Sequence, residues 1–169
     1  MTNYLVDAHN VLHANPDWEQ LLRQSLNDAR ELLIEHAKRY ALARRDVRCT
    51  LVFDGRDVKS RTIEDVIFVR GTRVNQNADA VIKKIVRSAR RAGEWIVVSN
   101  DHEVAAFARR FECETLRAEQ FLARLEKGNK KTVKKAANSL RGAMEDAGEK
   151  PRKVSQKEID EYKKLFGLS

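Results

Sequence analysis

The chain has two cysteines, Cys49 and Cys113, and they do not form a C-x-x-C pair. Two isolated cysteines build neither a disulfide framework nor a structural zinc site, and they suit a reducing cytoplasm, the expected location. Long apolar runs are also missing. The longest uninterrupted one, Val104 to Ala108, falls far short of the ~20 residues a membrane-spanning helix needs, so no membrane partner is expected. The opening residues, Met1-Thr2-Asn3-Tyr4-Leu5-Val6-Asp7, have neither the basic start nor the apolar stretch of a secretory signal. No G-x-G-x-x-G follows the first apolar segment. Asp7-Ala8-His9-Asn10 stands there instead, which excludes a Rossmann-type dinucleotide cradle. Aromatic side chains make up 7% of the chain, and none falls among residues 127–141, so that Lys-rich stretch offers no platform for base stacking.

What the chain does have is charge and a core. Hydrophobic residues account for 42% of its 169 positions, enough for one domain plus an appendage. The net charge is +8, which favours an anionic partner. Residues 1–123 hold 20 basic and 18 acidic side chains, whereas residues 124–169 hold 13 and 7. The excess is therefore concentrated in the last quarter. This divides the chain into a globular domain over residues 1–126 and a Lys-rich helical C-terminal extension over 127–169.

Apolar segments of two kinds alternate along the first part. Short β-branched runs at 4–8, 47–53, 65–69 and 95–98 read as buried strands, with a further short strand near 112–115. Between them, Leu22, Leu26, Ala29, Leu33, Ala37 and Tyr40 recur at helical spacing, as do Ala78, Val81, Ile82, Ile85, Val86 and Ala89. The second of these helices is expected over 78–92 with Gly93 as its stop, and further helices over 102–110 and 118–126. Strands alternating with helices predict a three-layer α/β fold around a mostly parallel sheet. In the last part Ser155-Gln156-Lys157-Glu158 has the form of a capping box.

Open parallel sheets bind ligands beyond the carboxyl ends of their strands. Asp7 ends the first strand, Asp54 the second, and Asp101 follows the fourth, while Asp79 lies in the first turn of a helix. Any one of these reads as a turn or a helix cap. Four of them from distant parts of the chain point to one sheet edge, where Asn10 and Ser99 add neutral oxygens. Such a cluster is costly without a cation among its members, because like charges in one pocket push pKa values up or demand neutralisation. Oxygen-only ligands suit Mg²⁺ or Mn²⁺, and one or two such ions can neutralise a phosphate and stabilise the leaving oxygen of an in-line displacement. The expected chemistry is phosphodiester hydrolysis.

Val6-Asp7-Ala8-His9-Asn10-Val11-Leu12 resembles the opening motif of NYN domains, relatives of the PIN-like nucleases, in their YacP-like branch. Val52-Phe53-Asp54-Gly55, Asn77-Ala78-Asp79-Ala80-Val81-Ile82 and Val97-Val98-Ser99-Asn100-Asp101 are similar to the later motifs of that family, in order, over residues 3–125. The resemblance implies a PIN-like fold and a metal-dependent endoribonuclease, with some relatives acting on messenger RNA at the ribosome. It implies Asp7, Asp79 and Asp101 as metal ligands, Asp54 as a further acidic member, Asn10 as the residue orienting the first strand end, and Ser99 as an assistant. Ala8-His9 replaces the family's usual Gly-Tyr, and Asn77 stands where Thr is frequent; neither change touches a carboxylate.

An acidic site that acts on RNA needs cations at its rim. Arg56, Lys59 and Arg61 follow Asp54 in an expected loop, Arg70 and Arg73 precede Asp79 in another, and Lys83 lies one turn beyond it. Lys130, Lys131, Lys134 and Lys135 would add sequence-independent affinity for substrate or ribosomal RNA. His9, His13 and His102 flank the acidic positions and keep a metal-independent acid–base route open, whereas His36, within a long helix, reads as structural. The competing function is a non-catalytic RNA- or ribosome-binding module that retains the fold. A phosphatase with a strand-end aspartate nucleophile would need a second Asp where His9 stands.

Overall fold

The computed structural model describes residues 1–55, 57–73 and 76–128. Six strands, β1 (Thr2–Asp7), β2 (Val47–Phe53), β3 (Arg61–Ile63), β4 (Ile67–Gly71), β5 (Trp95–Val98) and β6 (Glu114–Leu116), form one sheet in the order β3-β4-β2-β1-β5-β6. All neighbours are parallel except β3, which pairs antiparallel with β4 at the edge. The helices are α1 (Ala8–His13), α2 (Pro16–Gln24), α3 (Leu26–Leu42), α4 (Ala78–Ser88), α5 (His102–Arg110) and α6 (residues 118–128).

Alternation along the strands builds two cores. Tyr4, Val6, Leu51, Phe53, Ile96 and Val98 face α1, α3 and α6 with α2 against their flank, while Leu5, Val52 and Val97 face α4 and α5. Leu5, Val6, Val52 and Val98 are completely buried, each favouring the fold by about 1.5–3 kcal/mol over an exposed position. The three-layer α/β expectation holds. Among the described residues no helix is long and apolar enough to cross a membrane.

Local departures from the sequence reading have identifiable causes. The apolar series from Leu22 to Tyr40 is two helices, because Ser25 is extended at φ −152° and its side chain accepts from the Asp28 amide at 3.3 Å to cap α3. Ala8 belongs to α1, not to β1, since Asp7 caps a short helix directly at the strand end. Glu64 and Asp65 adopt φ of 49° and 54°, a turn joining β3 to β4, so the strand expected from residue 65 starts at Ile67. Arg61 and Arg70, expected in loops, lie in β3 and β4. Helix α4 stops at Ser88 because Ala89 turns extended at ψ 115°, four residues before the expected stop at Gly93. Arg56, Lys130, Lys131, Lys134, Lys135 and the Ser155 capping box lie outside the described residues.

Gly71 at the end of β4 lies against the segment that leads from β2 to β3. A β-carbon there would meet the Val58 carbonyl oxygen at 2.2 Å. Gly71→Ala is therefore expected to destabilise the protein by about 1–3 kcal/mol in urea unfolding; an unchanged midpoint would show that the Val58 backbone can yield.

Candidate active site

The sheet order turns back on itself at β1, which lies between β2 and β5. At such a switch point the connections leave toward opposite faces and open a crevice beyond the strand ends. Asp7, Asp54, Ser99 and Asp101 lie at the carboxyl ends of the three strands concerned, and Asp79 lies in the first turn of α4.

Asp7 is the inner member, 3% exposed. Its Oδ1 accepts the Asn10 amide at 3.2 Å, and its Oδ2 accepts the Asn10 side-chain amide and stands 3.5 Å from the Ser99 hydroxyl. Asn10 and Ser99 both stand against the Asp7 carboxylate. Burial pushes the Asp7 carboxyl above the usual carboxylate range, the Asn10 hydrogen bonds pull it back, and the charges of Asp79 and Asp54 push it up further. Asp79 is also raised, first by burial and then by Asp101, with Lys83 opposing and Asp54 and Glu103 adding. The four aspartates thus share one electrostatic neighbourhood.

Three of these carboxylates also anchor helix starts. Asp7 caps α1. Asp101 Oδ1 accepts the Glu103 and Val104 amides at 2.7 and 2.9 Å to cap α5, and Asp54 Oδ1 accepts the amide of Ala78, the first residue of α4, at 2.7 Å. Three helix N-termini directed at one edge provide positive potential that partly offsets the crowding. Asp54 Oδ2, Asp101 Oδ2 and both Asp79 oxygens accept no hydrogen bond among the described residues. These oxygens are the ones available to a hard cation. Among the described residues no three His, Cys, Asp or Glu side chains form a group that could hold a metal ion as they stand.

Supporting residues appear that the sequence reading passed over. Asn100 donates its amide to Asn10 Oδ1 at 3.2 Å, accepts the Ala118 amide of α6 at 2.9 Å and donates to Glu119, tying the end of β5 to α1 and α6. Arg30, buried on α3, donates to the Asp54 carbonyl at 3.1 Å and pairs with Asp57. Thr72 accepts the Gly55 amide at 3.0 Å. Gly55 itself sits at φ 126°, where a side chain would be strained. An asparagine inside a motif and an arginine inside a helix give no local signal of these roles.

The proposed rim cations separate. Lys83 lies beside Asp79, with its ammonium 3.9 Å from Glu103. Lys59 and Arg61 line a recess on the α3 side, where Arg61 pairs with Glu31. Arg70 and Arg73 line a larger cavity on the α4 side. His9 and His13 stack edge to face at 5.0 Å, and His13 lies 3.4 Å from Glu19. His36 is buried against Trp18, and burial pushes its pKa down.

Comparison with curated proteins by sequence gives no match. Among solved structures, Rae1 (YacP) from Bacillus subtilis is similar at 22% identity and a TM-score of 0.70, covering 98% of this chain and 94% of its own. A second structure, of a point mutant of that Bacillus subtilis protein, is similar at 21% and 0.71, covering 83% and 85%. These likenesses agree with the fold. The family model described as the YacP-like NYN domain matches residues 4–166, nearly the whole sequence. The chain therefore belongs to the YacP-like NYN domain family, a nuclease family.

Proposed function

We propose that this protein is a Mg²⁺- or Mn²⁺-dependent endoribonuclease of the cytoplasm that hydrolyses RNA phosphodiester bonds at the carboxyl edge of its sheet, with messenger RNA at the ribosome as the substrate setting. The observation that carries the reading is geometric: Asp7, Asp54, Asp79 and Asp101, from four separate segments, meet at the carboxyl edge of the sheet, where burial first and neighbouring carboxylates second raise Asp7 and Asp79. Crowding acids at one edge opposes folding unless a cation or a functional demand accounts for it.

Asp79, Asp101 and Asp54 would hold the ion through their unbonded oxygens, with Asp7 behind them. When bound, such an ion supplies charge neutralisation at the phosphate and at the leaving oxygen. The chain's own residues do the positioning. Asn10 and Ser99 hold Asp7 in one orientation, the α4 and α5 amides hold Asp54 and Asp101, and Lys83 brings a positive charge to the side of Asp79. The Lys-rich residues 127–169 would add sequence-independent RNA affinity.

Asparagine caps a helix as well as aspartate does, so Asp101→Asn separates the two roles of this residue. A role as helix cap alone predicts unchanged cleavage. The nuclease reading predicts that Asp101→Asn and Asp79→Asn each lower Mn²⁺-stimulated cleavage of pooled RNA by about 100-fold or more, with the melting curve intact. Full cleavage by either purified variant overturns the reading. Binding without metal-stimulated cleavage by the wild type assigns the chain to the non-catalytic alternative.

A carboxyl raised in the folded state binds more protons there than in the unfolded chain. Stability is then lost as the pH climbs through its raised pKa. In the presence of chelator, Asp79→Asn is accordingly expected to melt higher than wild type at pH 8, with the difference vanishing near pH 4. Added Mg²⁺ should raise the wild-type midpoint more than that of the variant. An equal response of both proteins would remove Asp79 from the ion site.

A further inference from the structure

Helix α4 covers Leu5, Val52 and Val97 on its side of the sheet but leaves the neighbouring positions toward β4 open. There a cavity of about 580 Å³ is bordered by Arg48, Arg70, Arg73 and Lys84, with the aromatic side chains of Phe68 and Trp95 in its wall. Its volume is that of a ligand-sized cleft. Among its described lining residues none is acidic. None of the four cations takes part in an ion pair among the described residues, although Arg23, Arg30, Lys38, Arg39, Arg61, Lys83, Arg91 and Arg117 all do. Around this cavity four have no countercharge among the described residues.

The strand register relates the cavity to the acidic edge. Arg70 pairs with Val52, which pairs with Asp7, so Arg70 occupies the same row two strands away, about 10 Å across. At the other end Arg48 pairs with Asn3, which pairs with Trp95. Arg48 lies four residues down β2 from Val52, about 13 Å. A trough lined with cations therefore runs along the sheet face from the row of Asp7 toward the opposite edge, and α4, which carries Asp79 at its start, contributes Lys84 to one wall.

We infer that this trough holds a single-stranded RNA segment adjoining the scissile phosphate, its backbone on Arg48, Arg70, Arg73 and Lys84 and its bases against Phe68 and Trp95. The inference rests on the nuclease reading for what happens at the acidic edge. The charge argument is direct: an acidic pocket repels an RNA backbone, so the approach must be held by cations set back from it, and these four share one cavity with Arg70 in the row of Asp7. The aromatic argument selects the strand state. Bases stack on aromatic rings only when splayed from a helix, and each such contact tolerates any base.

The test uses the full chain in chelator, so that binding is read without cleavage. Its probe is a fluorescein-labelled single-stranded oligoribonucleotide of about 12 nucleotides. Fluorescence anisotropy across a salt series should give Arg48→Ala/Lys84→Ala a Kd roughly tenfold weaker, with a salt slope shallower by about 1.4, two single-strand phosphate contacts at ~0.7 each. The Arg45→Ala/Arg110→Ala protein, which removes exposed unpaired cations elsewhere, should match wild type. In a Trp18→Phe background the emission of Trp95 should be quenched by the single strand and much less by the corresponding duplex. Three results would each overturn the proposal: an unchanged slope in Arg48→Ala/Lys84→Ala, an equal loss in the control pair, or Trp95 emission that ignores the single strand. The nuclease reading is tested apart from this by Asp79→Asn in Mn²⁺. A chain that binds as described without cutting keeps the trough and loses the enzyme.

Discussion

Like charges gathered at one edge of a buried sheet set the terms for the rest of this molecule. Asp7 lies almost wholly out of water, and its neighbours Asp54 and Asp79 oppose its ionisation. The fold meets that cost with donors: two from Asn10, the hydroxyl of Ser99, and the first turns of α1, α4 and α5. Because the same carboxylates cap helices, starting those helices and assembling the acidic edge are one process. What the helices leave over, the unbonded oxygens of Asp54, Asp79 and Asp101, is what the proposed chemistry uses.

The two faces of the sheet divide the labour. On one, α1, α3 and α6 bury the larger core and keep the edge rigid. On the other, α4 and α5 cover only part of the strands, and the uncovered part carries the basic trough. An acidic edge next to a basic face is a coherent arrangement for a polyanionic substrate, since affinity and chemistry require opposite charge.

Much of this could be read from the sequence, for a physical reason. Asp7, Asp54 and Asp101 stand next to short apolar strands, and a parallel α/β sheet brings its strand ends to one side whatever the loop lengths. Strands 47–53 and 95–98 and the helix at 102–110 appear where their hydrophobic patterns put them. Features that depend on a single side chain or a backbone angle could not be read in this way. The break at Ser25 sits inside an unbroken helical periodicity, and the turn at Glu64 and Asp65 puts two successive residues in a left-handed conformation to which only aspartate is inclined. Arg48, Phe68 and Trp95 come together only through register across β5, β1, β2 and β4, which no local window contains. Their alternation looks the same whether the open face meets solvent or substrate.

Arg30 has a consequence of its own. From α3 it reaches the carbonyl of Asp54, while its charge is matched by Asp57. The second acidic position is thus held from behind, by a residue of α3 that reaches the segment following β2. Without that guanidinium the Asp54 carbonyl and the Asp57 carboxylate would lose their shared donor, so the presentation of an acidic residue at the strand end depends on a side chain contributed by a helix distant along the chain.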